Sequence, residues 1–144
     1  MKAISLTQPW ATLVAIGAKR YETRSWRTEF RDRLIIHASK GFPRWARECC
    51  EEPVFKEALA QAGYDRWQSL PVGAILGSVW LLDCVPTESV QVDDREREFG
   101  DYGPGRWAWR LDERRKLMIP YPCLGALGLW NVPPDVMKML PEVL

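Results

Sequence analysis

The sequence has few cysteines, and their spacing suits neither a zinc site nor a disulfide framework. Cys49, Cys50, Cys84 and Cys123 include no CxxC pair, and two of them are adjacent. A zinc site needs sulfur or nitrogen ligands at close spacing, and one histidine, His37, cannot supply the missing ones. We therefore expect free thiols in a reducing cytoplasm, with no metal and no other cofactor.

Long apolar runs are also missing. No run approaches the ~20 residues that cross a bilayer, and the opening MKAISLTQPW contains no apolar stretch of the kind a secretory signal needs. We expect no membrane partner. The composition, 47% hydrophobic and 27% charged, is ordinary for a globular chain, and 144 residues are enough for one core. The sequence predicts a single domain over 1–144 and favours a monomer without fixing the oligomeric state.

A net charge is nearly absent, at +1, but the charges are unevenly distributed along the chain. Residues 1–47 are net +7, residues 48–101 net −8 and residues 102–144 net +2. Such segregation can form a positive face that attracts phosphates. The alternative is that the charges mix once the chain folds, and the sequence leaves both open.

The first forty residues predict a strand, a helix and two more strands. Lys2–Leu6 reads as a strand, and Thr7 is the expected N-cap of a helix that tolerates Pro9 in its first turn and ends at Gly17. A strand then begins at Arg20. By period two its charged face carries four residues: Arg20, Glu22, Arg24 and Trp26.

The next strand, RLIIHASK, alternates in the same way. Leu34, Ile36 and Ala38 form the expected core face, and Arg33, His37 and Ser39 the opposite face. The polar turn TEFRDR predicts a hairpin between this strand and the one before it.

The remainder alternates between helical and extended segments. Pro53 divides a helical stretch that ends at Gly63, and AILGSVWLLDCV is apolar on both faces, as in a buried strand. Residues 86–101 are predicted to be an acidic connection. RWAWRL and GALGLWNV are predicted strands, and a short helix should follow Pro133. The fold class predicted is α+β: a small curved mixed β-barrel of five to six strands flanked by short helices.

The blocks SLTQPW, GAKRYETRSW, RLIIHASK, GRWAW and GALGLW together resemble the ASCH family (activating-signal-cointegrator homology), which shares its barrel with PUA domains. The family signature Gly-x-Lys-x-x-Glu-x-Arg is matched by Gly17, Lys19, Glu22 and Arg24. The resemblance implies a PUA-like barrel with a cleft lined by the Lys, Glu and Arg side chains. It also implies RNA or a nucleotide-like small ligand as the partner.

The residues themselves support a polar site beside this resemblance. Guanidinium groups on both sides of Glu22 would keep it ionised and able to accept hydrogen bonds from a base edge. A functionally silent surface salt-bridge ladder is the alternative. The predicted ligand-binding residues are the ionic set, the two residues of the QPW block and the nearby polar and aromatic side chains: Lys19, Arg20, Glu22, Arg24, Gln8, Trp10, Trp26, His37 and Ser39.

The sequence does not decide whether the protein is an enzyme, and no catalytic residue is assigned. Some proteins that resemble this family are amidohydrolases with a threonine three residues after the lysine, but here that position is Glu22 and Thr23 is its neighbour. A ribonuclease using Lys19 with Tyr21 or Ser39 is the other enzymatic alternative. Binding is the favoured function.

Overall fold

Strands in which apolar and polar residues alternate assemble into one curled sheet, with helices packed on both of its faces. The computed structural model describes residues 1–141 and residue 144. The strands are β1 Lys2–Leu6, β2 Tyr21–Arg24, β3 Arg33–Ala38, β4 Ala74–Pro86, β5 Trp107–Pro122 and β6 Leu129–Asn131. The helices are α1 Trp10–Ala15, α2 Arg44–Cys49, α3 Pro53–Gln61, α4 Asp94–Glu98 and α5 Pro134–Met139.

The strand order in the six-stranded sheet is β2-β5-β4-β3-β1-β6. Only β1 and β3 run parallel among the paired strands of the described residues; every other pairing is antiparallel. The predicted α+β class, with a small curved mixed sheet and short flanking helices, is confirmed as a six-stranded half-barrel. Within residues 1–141 and 144, none of the helices has the length and apolar character that spanning a bilayer requires.

Both faces of the sheet are buried because period-two alternation sends apolar side chains to each side. Leu34 and Ile36 lie on the face covered by α1, as predicted, and pack with Trp109. Ile35 lies on the opposite face, where it packs with Trp130 beneath α5. A third cluster fills the space between α1 and α3.

The predicted C-terminal end of α1 is confirmed, whereas the predicted N-cap is wrong. Gly17 follows the helix with a φ of 81°, a conformation that suits glycine. Thr7 does not cap the helix with its side chain, because the helix begins later, after Pro9. The side chain of Gln8 does so instead: its Oε1 accepts a hydrogen bond from the Thr12 N–H at 3.0 Å.

The predicted hairpin between the second and third strands is wrong. β2 pairs with β5 through Glu22↔Trp109 and Thr23↔Ala108, and two strands separate it from β3. The turn chemistry of TEFRDR, residues 28–33, is compatible with a hairpin, but β2 instead pairs through backbone hydrogen bonds with the outer edge of β5. That non-local pairing overrides the local turn signal.

Two further segments differ from the prediction. Residues 86–101 contain α4 and bury Phe99, which packs edge-on against Phe55 with ring centroids 5.0 Å apart. The last strand is only Leu129–Asn131, and residues 123–128 form a loop instead of its first half. In both cases, residues of the segment lie beside the predicted site.

Candidate functional site

A cleft of about 1320 Å³ opens where the carboxyl ends of β1 and β3 meet β2, α1 and α2. Its remaining walls come from residues 98–101 and from the loop 122–128. Because the sheet curls, these segments converge on one concave surface although they are distant in sequence. The cleft is where sequence motifs from both ends of the chain come together.

The motif residues form a chain of ion pairs at one wall of the cleft. Glu22 Oε1 lies 3.3 Å from Lys19 Nζ, and Glu22 Oε2 accepts a hydrogen bond from Arg24 Nε at 2.9 Å. The Lys19 ammonium also donates to the carbonyl oxygen of Tyr21. Lys19 is buried, whereas Glu22 and Arg24 line the cleft. The lysine therefore contacts Glu22 from the interior and does not itself line the cleft.

Helix α4 and the segment after it hold β2 against the cleft. Glu96 Oε1 accepts a hydrogen bond from the Arg20 N–H at 2.7 Å, and Thr23 Oγ1 accepts one from the Asp101 N–H at 3.1 Å. Arg106 donates to the Thr23 carbonyl and pairs with Asp101. β2 has only four residues, so these contacts fix an edge strand that pairing alone would hold weakly.

Burial affects the carboxyl group of Glu96 strongly. It is 7% exposed, and its Oε2 has no hydrogen-bond partner among the residues that the structure describes. Burial raises the pKa of Glu96, and hydrogen bonds from the backbone together with the nearby Lys19 charge oppose that shift. The sequence predicts an acidic connection over residues 86–101, but Glu96 lies in α4 and is buried.

Two tryptophans form an aromatic side of the cleft. The rings of Trp10 and Trp45 lie 5.7 Å apart at 41°, and Trp10 Nε1 donates to the Phe99 carbonyl at 2.8 Å. Trp45, on α2, is 60% exposed. An exposed indole beside a fixed one gives a surface on which a planar ring can stack.

Near the carboxyl end of β1, the cleft contains a serine and a histidine that are hydrogen-bonded to each other. His37 Nδ1 lies 2.9 Å from Ser5 Oγ, and His37 Nε2 lies 2.9 Å from the Cys123 carbonyl oxygen. Trp130 Nε1 donates to Ser5 Oγ at 3.1 Å. Burial lowers the pKa of His37, so the imidazole is neutral at pH 7.

The structure brings together some of the predicted ligand-binding residues in this cleft and leaves others outside it. Five line the cleft: Trp10, Glu22, Arg24, His37 and Ser39. Four do not: Gln8, Lys19, Arg20 and Trp26. Whether the first group contacts a ligand stays a prediction.

Each excluded residue has a clear structural position. Gln8 is fully buried and donates to Thr12 Oγ1 and to the Pro71 carbonyl, so it supports the turn into α1. Trp26 lies beyond the end of β2 and packs edge-on against Trp109, with centroids 4.8 Å apart. Arg20 is exposed at a smaller, separate hollow of about 390 Å³.

Further residues that the sequence did not single out also line the cleft, among them Ser5, Trp45 and Arg106. Arg106 lies in the quoted block GRWAW, so its motif was a usable signal. Ser5 likewise begins the quoted block SLTQPW, whereas Trp45 lies in no quoted block.

The structure separates the residues named in the enzymatic alternatives. Thr23 is 8% exposed, and its hydroxyl oxygen accepts a hydrogen bond from the Asp101 N–H. Tyr21 lines the smaller hollow, Ser39 lines the main cleft and Lys19 is buried, and whether Lys19 acts with either of them stays a prediction.

The ionic side chains that line the cleft are of both signs. Its cations are Lys40, Arg24 and Arg106, and its carboxylates are Glu22, Glu98 and Asp101. Of the two alternatives left open by the charge distribution, mixing describes the cleft. Such a surface suits a ligand with both an anionic group and hydrogen-bond donors.

A curled mixed half-barrel with short flanking helices belongs to the PUA-like class. The sequence profile of the ASCH domain matches residues 4–120, which is most of the chain. The chain therefore belongs to the ASCH domain family.

Similar solved structures agree on the fold. The ASCH protein of Zymomonas mobilis has a TM-score of 0.54 at 14% identity, with 95% of this chain and 90% of that chain covered. A mutant of that Zymomonas mobilis protein has a TM-score of 0.55 at 13% identity, covering 96% of this chain and 94% of the mutant chain. At such low identity the likeness concerns the fold alone.

Two curated relatives are similar in sequence. They are Activating signal cointegrator 1 of Mus musculus and of Homo sapiens, each 27% identical over 129 residues. The alignments cover 90% of this chain but 22% of each relative. The chain thus spans about a fifth of the length of these relatives.

Proposed function

We propose that the cleft binds an unpaired nucleotide of RNA or a nucleotide-like small ligand. The observation that carries this proposal is that the Glu22–Arg24 ion pair and the Trp10–Trp45 pair line one cleft. An unpaired base can stack on the indoles while its polar edge donates to Glu22. The guanidinium groups of Arg24 and Arg106 are suited to its phosphate.

The size of the cleft favours a segment of RNA over an enclosed small molecule. Small-molecule pockets are about 300–1,000 Å³, and this cleft is larger, at about 1320 Å³. An open cleft leaves space for the chain to continue on either side of the bound nucleotide. The association of the ASCH family with RNA binding supports the same function.

The proposal also includes a cellular location and a domain organisation. Its four cysteines are free thiols, which suits a reducing cytoplasm. Two of the hydrophobic clusters are built on the sheet, and the third packs α1 against α3, which supports one domain over 1–144.

The phosphate contact is tested with Arg24→Ala and labelled single-stranded RNA, by fluorescence anisotropy across a salt series. We expect affinity to fall about tenfold and the slope of log affinity against log salt to fall by about 1, because one phosphate contact is lost. Arg66→Ala is the matched control, since Arg66 is exposed and outside the cleft. Equal affinities and slopes in the two variants would count against the proposal.

The stacking contact is tested with Trp45→Ala in the same assay. Base–aromatic stacking is worth about 1–3 kcal/mol, so affinity should fall at least fivefold, with little dependence on salt. Leu82→Ala is the control, because Leu82 is a 40% exposed apolar side chain away from the cleft. If wild-type protein binds neither RNA nor free nucleotides above background, the proposed function is wrong.

A further inference from the structure

Ser5 and His37 lie in the cleft in an arrangement that nucleotide binding does not need. The hydroxyl and Nδ1 are 2.9 Å apart, although the residues are on different strands. β1 and β3 pair in parallel with Ser5 directly opposite His37, so the register of the sheet fixes their approach. The pair is therefore built into the sheet and does not depend on a loop conformation.

The hydrogen bonds determine which nitrogen of His37 carries the proton. A backbone carbonyl only accepts hydrogen bonds, so Nε2, at 2.9 Å from the Cys123 oxygen, must be the protonated nitrogen. In a neutral imidazole Nδ1 is then unprotonated and accepts from Ser5. This is the tautomer that a general base toward Ser5 requires.

Trp130 fixes the direction of the Ser5 hydroxyl. Its Nε1–H donates to Ser5 Oγ at 3.1 Å, which leaves the hydroxyl proton free to point at Nδ1. The Trp130 ring also packs edge-on against His37, at 5.5 Å and 85°, and limits rotation of the imidazole. A nucleophile, a base and a group that orients the base are thus all present.

The loop over this pair is apolar and has glycine at the point of closest approach. A Cβ on Gly125 would lie 2.5 Å from Ser5 Oγ and 2.7 Å from His37 Nδ1, so the backbone itself covers the pair. On either side of Gly125, Leu124 and Leu127 are 87% and 97% exposed and line the cleft. They offer an apolar surface beside a polar reactive pair.

We propose that Ser5 and His37 form a nucleophile–base pair that gives the cleft an acyl-transfer activity toward esters with an apolar acyl group. Ser5 Oγ adds to the ester carbonyl carbon while its proton passes to His37 Nδ1. The bond to the alcohol oxygen breaks, and the alcohol leaves with that proton. Water then adds to the acyl-serine, gives a proton to Nδ1, and the carboxylic acid leaves as the proton returns to Ser5 Oγ.

The carbonyl of Cys123 replaces the carboxylate of a Ser–His–Asp triad in this arrangement. A neutral carbonyl stabilises the imidazolium less than a carboxylate does, so both formation and hydrolysis of the acyl-enzyme should be slow compared with those of a full triad. The acyl group would lie against Leu124, Leu127 and Val72.

The experiment treats the full chain with an alkyl fluorophosphonate probe and maps the adduct by peptide mass spectrometry. We expect the adduct on Ser5 and its loss in Ser5→Ala. Ser69→Ala should label like the wild type, because Ser69 is exposed and outside the cleft. Wild type without an adduct on Ser5, or labelling that persists in Ser5→Ala, would overturn the proposal.

The base is tested without a substitution that could unfold the protein. His37 is the only histidine in the sequence, so diethylpyrocarbonate modification mapped to His37 by peptide mass spectrometry reports on one imidazole. Modification should slow labelling of Ser5 at least tenfold, and hydroxylamine should restore it. Unchanged labelling of a protein shown to carry the modified His37 would remove the histidine from the proposal.

Hydrolysis of p-nitrophenyl hexanoate gives an independent readout. An initial burst of p-nitrophenol close to one equivalent, absent in Ser5→Ala, is expected. These probes contain no nucleotide, so their outcome is independent of whether the cleft binds RNA.

Discussion

The ammonium of Lys19 lies 3.3 Å from Glu22 Oε1, and its side chain is only 1% exposed. The lysine of the signature motif is therefore an interior residue. Its contact holds the carboxylate that faces the cleft and does not itself reach the cleft surface. The signature thus supplies a carboxylate, that of Glu22, which two cations hold in place: Lys19 from the interior and Arg24 beside the cleft.

Substituting Lys19 with methionine should destabilise the fold before it affects any ligand. Removing Lys19 leaves the Glu22 carboxylate with Arg24 as its remaining cationic partner and should cost about 2 kcal/mol. The carbonyl of Tyr21 also loses its donor. Urea unfolding should show a lower free energy of unfolding for Lys19→Met than for the wild type.

Lys56→Met is the control for this prediction. Lys56 pairs with Glu51 at 3.6 Å, but both side chains are largely exposed, so the change should be within about 0.5 kcal/mol. A Lys19→Met variant as stable as Lys56→Met would mean that the buried contact does not support Glu22.

Glu96 should make the stability depend on pH. Burial raises its pKa, so between the unfolded value near 4.5 and the higher folded value the folded state binds more protons. The free energy of unfolding contributed by Glu96 therefore falls as pH rises through that window. Glu96→Gln keeps an acceptor for the Arg20 N–H and removes the titration.

Urea unfolding of wild type and Glu96→Gln at pH 4, 5, 6 and 7 tests this. The variant should gain stability relative to the wild type as pH rises, and Glu57→Gln, an exposed carboxyl group on α3, should show no such trend. A constant difference between wild type and Glu96→Gln over this range would contradict the assignment.

Gly77 should tolerate no side chain, because β5 passes too close to it. A Cβ there would lie 2.3 Å from the Arg115 carbonyl oxygen and 3.0 Å from the Lys116 Cα, and backbone atoms cannot rotate away. Gly77→Ala should cost about 2 kcal/mol through overpacking. At Gly41 nothing lies within 4 Å of a new Cβ, so Gly41→Ala should be near neutral. Equal melting temperatures for the two variants would show that β4 and β5 separate readily at this point.

Local sequence patterns predicted the elements of the fold well and their partners poorly. Alternation in β3 gave the core face of Leu34 and Ile36, and Gly17 gave the end of α1. The prediction of a hairpin between β2 and β3 was wrong because the pairing of strands depends on packing across the whole sheet. Turn residues alone carry no information on that choice.

The candidate site shows the same division. Its motif was recognisable from Glu22 and Arg24, which line the cleft. Ser5 begins the block SLTQPW, but only the parallel pairing of β1 with β3 places it beside His37. No local signal could have identified that contact.

The sequence by itself determined the α+β class, the alternating strands, the glycine turns and the family to which the chain belongs. Each of these depends on neighbouring residues, through φ/ψ preferences and periodicity, or on a contiguous motif. Only the tertiary structure decided that Lys19 is buried, that Glu96 is desolvated and that Ser5 contacts His37. Burial and long-range hydrogen bonds depend on which distant segments pack together, and that is settled by the free energy of the whole fold.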